Sequence, residues 1–137
     1  MNVTDLLDAA HATAKADNLS PAQIEAASVE LAAAFEARMQ HHFKRGPFYK
    51  KLHKLLADNG NSDLALKVHQ YSVAVSVIKH GTGASYRELK SLANLPFDIR
   101  TPAAQSHTLV DVTSGDFFGQ LTQTLEQAHQ FLETHNA

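Results

Sequence analysis

The 137-residue chain has no cysteine, only four prolines and six glycines, and no long hydrophobic run. Without cysteine there can be no disulfide framework, thiolate zinc site or cysteine nucleophile. No apolar stretch approaches the roughly 18 residues needed to cross a bilayer, so no membrane partner is expected. Asp5 and Asp8 stand where a signal peptide would carry lysines, so a cytoplasmic location is expected. Basic residues are also few overall: the formal net charge is −2. That excludes a protein coated by nucleic acid over its whole surface and makes any such binding local. Neither an internal repeat nor a low-complexity tract interrupts the chain, so a single domain over 1–137 is expected.

Apolar residues at three- and four-residue steps, with caps and breakers between them, predict an all-α, compact bundle of about five to six helices. Thr4 is read as the cap of a first helix reaching about Lys15, and Ser20-Pro21 as the start of a second. Ile24, Ala27, Leu31, Ala34, Phe35, Arg38 and Met39 give that second helix its stripe, with Gly46-Pro47 stopping it near Arg45. Phe48, Leu52, Leu55 and Leu56 mark a third helix ended by Asn59-Gly60. A fourth is expected from Ser62 to His80, before Gly81. Its segment Val73 to Ile78 alternates like a strand, but the helical stripe begins about ten residues earlier and the apolar residues on its other sides predict near-complete burial. Ser85, with Glu88 three residues on, is read as a capping box for a fifth helix to about Ala93. An irregular loop with Pro96 and Pro102 follows at about 95–113, holding a short extended piece at 107–112. Asp111, Thr113 or Ser114 is expected to start a last helix carrying Phe117, Phe118, Leu121, Leu125, Ala128 and Leu132.

Charge is not spread evenly over these elements. Arg38, Lys44, Arg45, Lys50, Lys51 and Lys54 are half of the twelve basic residues, and no acid lies between Ala37 and Ala57. Phe43, Phe48 and Tyr49 are interleaved with them. Cations for phosphates and flat faces for bases together are what single-stranded nucleic-acid binding requires. The competing reading makes the aromatics core and the lysines a solvated helix face. Single-stranded RNA or DNA is therefore the first ligand class, held by Arg38, Lys44, Arg45, Tyr49, Lys50, Lys51 and Lys54.

A second candidate is the turn Lys79-His80-Gly81-Thr82-Gly83-Ala84-Ser85-Tyr86-Arg87, in which two glycines lead into a helix start with flanking cations. Free amides there can hold an anion, which makes Lys79, His80, Gly81, Gly83, Ser85 and Arg87 a candidate anion site. Helix stop followed by helix start accounts for the same residues without a ligand. The segment matches neither the phosphate-loop nor the dinucleotide pattern.

Nine histidines raise the question of metal. His69 and His80 share a helix face but are three turns, about 16 Å, apart. Asp8 with His11, and Glu126 with His129 and Glu133, have spacings of exposed helical pairs. No metal or other cofactor is implied. Nucleophile-elbow and triad signatures are missing as well.

The run Val77-Ile78-Lys79-His80-Gly81-Thr82-Gly83-Ala84-Ser85-Tyr86-Arg87-Glu88-Leu89, a helix ending in a His-Gly-x-Gly-x-Ser turn, resembles bacterial helical proteins related to the HEPN (higher eukaryote and prokaryote nucleotide-binding) family. Leu109-Val110-Asp111-Val112-Thr113 before a final aromatic helix is similar too. The resemblance implies a HEPN-like helical bundle and a homodimer. HEPN ribonucleases carry an arginine, a polar residue, three variable residues and a histidine on one helix. With His80 as the histidine, Ser76 takes the polar place and Val75 the arginine's. Arg100 and His107 have a looser spacing interrupted by Pro102. The expectation is thus a non-catalytic binding or regulatory protein. The alternatives are a toxin- or defence-type ribonuclease using His80, and a protein-interaction module with no nucleic-acid role.

Overall fold

The structure is a computed structural model and describes residues 2–16, 18–100 and 109–135. Six α-helices hold more than half of the chain: α1 (Val3–Ala14), α2 (Pro21–Met39), α3 (Phe48–Asp58), α4 (Ser62–His80), α5 (Ala84–Ser91) and α6 (Phe117–His135). Among the described residues there is no strand, only an isolated antiparallel bridge between Ile99 and Val110. Of the expected extended piece at 107–112, His107 and Thr108 lie outside the described residues, as does Pro102.

Capping chemistry sets the helix starts, in places differently from the sequence reading. Asn2, not Thr4, caps α1, because its Oδ1 accepts the Asp5 N–H at 2.8 Å and so satisfies an orphan first-turn donor. Ser20 caps α2 as expected: its Oγ accepts the Gln23 N–H, and Gln23 Oε1 accepts the Ser20 N–H in return. The helix ends at Met39 rather than near Arg45, tightening into a 3₁₀ turn over Gln40–His42 before extended Phe43. Gly83, not Ser85, precedes α5, because the Ser85 hydroxyl is turned across to Ser76 instead of back to its own helix. α6 begins only at Phe117. Asp111, Thr113 and Ser114 form their own turn, in which Asp111 Oδ1 accepts from the Thr113 N–H and hydroxyl and Ser114 Oγ donates to the Asp111 carbonyl. Gly115 carries that turn past the loop before it: φ is +61°, and a Cβ there would stand 2.0 Å from the Pro96 carbonyl oxygen.

Around α4 the helices close one core. It touches α2, α3, α5 and α6, and Ala65, Val68, Tyr71, Val73, Ala74, Val75 and Val77 are buried on more than one side of it. α1 and α6 pack together on the far side and are joined at the surface by His11 and Glu126, 2.7 Å apart. Those two residues therefore pair across helices, while His129 pairs with Glu133 at 3.1 Å along α6. Phe97 carries the loop after α5 into the core, where Tyr71, Phe97 and Phe117 meet with ring centroids 5.1–5.4 Å apart. Tyr86 donates its hydroxyl to the Arg100 carbonyl at 2.7 Å, fixing the next stretch.

The apolar stripes are consumed within the chain. Leu66, 45% exposed, is the one large exposed hydrophobic side chain among the described residues. Among the described residues, no helix is long and apolar enough to cross a membrane.

Candidate functional site

Two sequence segments about thirty residues apart meet at one cleft. Its volume is about 330 Å³, and it lies between α2, the start of α3, α4 and the start of α5. On α4 the residues His69, Ser72, Val73, Val75, Ser76, Lys79 and His80 line it, most of them at the three- and four-residue steps of one helix side. α2 supplies Val29, Ala32, Ala33 and Glu36 from the opposite wall, again at three- and four-residue steps. Alanine at 32 and 33 puts only a methyl group into the cleft from this wall. Tyr49 and Lys50 enter from α3, and Ser85 and Glu88 from α5.

Four polar side chains along the α4–α5 wall are paired with one another. His69 Nε2 is 3.1 Å from Glu88 Oε2, and the Ser76 and Ser85 hydroxyls are 2.8 Å apart. The His53 ring lies 4.8 Å from that of His69, centroid to centroid, and its Nδ1 is 2.9 Å from the Ala65 carbonyl oxygen, which accepts. Glu36 differs: among the described residues its carboxylate takes part in no ion pair or hydrogen bond. The cleft therefore presents two polar pairs together with Lys79 and His80 on one wall and, on the other, a free acceptor beside an apolar surface.

The expected nucleic-acid residues divide in this geometry. Lys50 lines the cleft, whereas Lys44, Arg45, Lys51 and Lys54 are exposed outside its lining. Lys54 reaches Asp58 at 2.7 Å, and Arg38 donates to its own helix at the Ala34 carbonyl. Of the interleaved aromatics, Phe48 belongs to the core, while Phe43 and Tyr49 are half-buried. Phe48 is fully buried and meets Phe35, Phe43 and Tyr49 edge to face, so this cluster anchors α3 to α2. Tyr49 donates its hydroxyl to the Ala32 carbonyl at 2.6 Å. Burial, reinforced by the negative charge of Glu36, pushes that phenol well above its ordinary pKa and keeps it a donor.

The glycine turn divides likewise. Lys79, His80 and Ser85 line the cleft, while Gly81, Gly83 and Arg87 do not. Gly81 (φ +73°) and Gly83 (φ +158°) are explained by the chain reversal between α4 and α5, where most side chains would be strained. Of the positions related to the ribonuclease motif, Val75 is buried and Ser76 is bonded to Ser85. Arg100 lies 3.3 Å from Asp111, and His107 is outside the described residues. No group of three ligating side chains able to hold a metal converges among the described residues.

Spacing alone missed the contribution of α2. A signal was present in Val29, Ala32, Ala33 and Glu36, a second face beside the buried Leu31-Phe35 stripe, but nothing in the sequence said which helix it would oppose. Comparison with protein-family models, with curated proteins and with solved structures finds no match for this chain.

Proposed function

We propose that this protein is a non-catalytic, HEPN-like helical binding protein that holds single-stranded nucleic acid along the basic edge of α3 and in the adjoining cleft. The observation that carries this reading is the meeting of Lys50 with Lys79 and His80 at one cleft from separate segments of the chain. Lys44, Arg45 and Lys51 continue the positive character outward from it along an exposed surface. With Phe48 in the core, affinity rests on phosphate contacts and on the cleft rather than on a row of stacked bases. Binding is then weak and falls with salt. For about three phosphates neutralised, at roughly −0.7 in log–log slope for each, the affinity drops about 10- to 20-fold between about 50 and 200 mM salt.

The test is fluorescence anisotropy with short single-stranded RNA and DNA. Replacing Lys50, Lys51 and Lys54 together by Glu is expected to abolish binding while circular dichroism is unchanged, because all three side chains are exposed. A His80→Ala substitution weakens binding less. If His80→Ala instead removes a cleavage activity while leaving binding in place, the protein is a ribonuclease, because catalysis depends on one proton-transfer group rather than on summed charge. If no strand binds at low salt, the interaction-module reading replaces both.

A further inference from the structure

Resting on that reading of the cleft, we propose that it receives one unstacked base of the bound strand and that Glu36 makes it selective for guanine. The cleft volume, about 330 Å³, is at the small end of ligand sites, which suits a single nucleotide unit. Val29, Ala32, Ala33 and Val73 offer an apolar surface to the face of a base. Lys50, Lys79 and His80 occupy the same lining and provide cations for the flanking phosphates. Single-stranded bases are read in this way, splayed from their neighbours and recognised along their Watson–Crick edge.

Selectivity follows from donor and acceptor chemistry. Glu88 already faces His69 at 3.1 Å, whereas the Glu36 carboxylate has no side-chain hydrogen bond or ion pair among the described residues. An ionised carboxylate only accepts. Guanine alone among the common bases places two donors side by side on its Watson–Crick edge, the ring N1–H and the exocyclic amine. Adenine and cytosine set an acceptor next to their amine, and uracil flanks its one N–H with two carbonyls, so each of them turns a lone pair toward Glu36. A bidentate contact of this kind discriminates by roughly ten- to a hundredfold.

The experiment measures binding of four labelled oligouridine strands that differ only in one central base, G, A, C or U, with the full-length protein at low salt. The guanine strand is expected to bind at least about tenfold more tightly than the others. Glu36→Gln, which exchanges one acceptor for a donor on an exposed side chain, is expected to erase that preference. Ala33→Trp, filling the cleft from an exposed position, is expected to erase it too while salt-dependent binding to all four strands persists. Equal, salt-dependent binding of the four strands by the unaltered protein overturns guanine selectivity and leaves the binding function standing. Guanine preference that survives Glu36→Gln overturns the role of Glu36. No binding of any strand removes this inference together with the function it rests on.

Discussion

α3 and α4 lie against each other and use their sequences in opposite ways. α3 buries Phe48, Leu52 and Leu56 on one side and turns Lys50, Lys51 and Lys54 to solvent. α4 buries residues nearly all round, including Gln70, whose amide makes only long contacts to the carbonyls of Ala93 and Asn94, 3.4 and 3.5 Å away. A one-sided helix can change its outer face without cost to the fold, whereas a helix enclosed on most sides can change few of its residues without moving a neighbour. Of these two helices, α3 and the ends of α4 therefore carry the exposed charge, and the middle of α4 carries stability.

The largest effect should come from cutting into the shared interface. Leu52→Ala removes a fully buried side chain between the two helices and should cost about 2–5 kcal/mol, measured by urea unfolding. Ala74→Leu tests enclosure from the other direction, since Ala74 has no exposed surface; about 1–3 kcal/mol of destabilisation is expected from overpacking. Were Ala74→Leu neutral, α4 would not be enclosed as described.

Tyr71 gives a finer contrast within α4. Its hydroxyl is buried with no hydrogen-bond partner among the described residues, so Tyr71→Phe should leave stability unchanged or raise it by up to about 1 kcal/mol. Burial, and then the charge of Asp116, pushes its pKa up from 10.0 to about 12. The folded state thus favours the neutral phenol, and the sign is fixed: this contribution is intact below pH 10 and is lost as the pH rises toward 12. Thermal melts between these values should fall less steeply in Tyr71→Phe than in the unaltered protein. Smallest of all, Lys51→Ala on the outer face of α3 should shift stability by no more than about 0.5 kcal/mol in the same urea assay.

The same contrast explains what could be read beforehand. α4 was legible because its stripe and breakers agree with its burial, and α3 because the apolar and basic residues separate by face. Helix starts were harder. Thr4 and Ser85 look like caps by residue type, but Asn2 is placed to accept the Asp5 amide and Ser85 finds Ser76 nine residues back, a contact that depends on how α5 folds against α4. The start of α6 was displaced for a similar reason: Asp111, Thr113 and Ser114 are satisfied within their own turn. Both positive segments of the site were visible in the sequence, but their meeting was not, because Lys50 and Lys79 are joined only through tertiary packing. Phe48 shows the opposite error. Aromatic residues beside lysines suggest stacking surfaces, and here edge-to-face packing with Phe35 takes the ring into the core.

The central claim is that residues around Lys50 and residues around Lys79 respond to a single ligand. Backbone amide NMR of the isotopically labelled protein, titrated with a short single-stranded oligonucleotide at low salt, tests it most directly. Concerted, saturable shifts are expected at Ala33, Glu36, Lys50, Ser76, Lys79 and His80, with one apparent affinity, while the α1–α6 side stays still. Shifts confined to α3, different affinities at Lys50 and Lys79, or no shifts would contradict it.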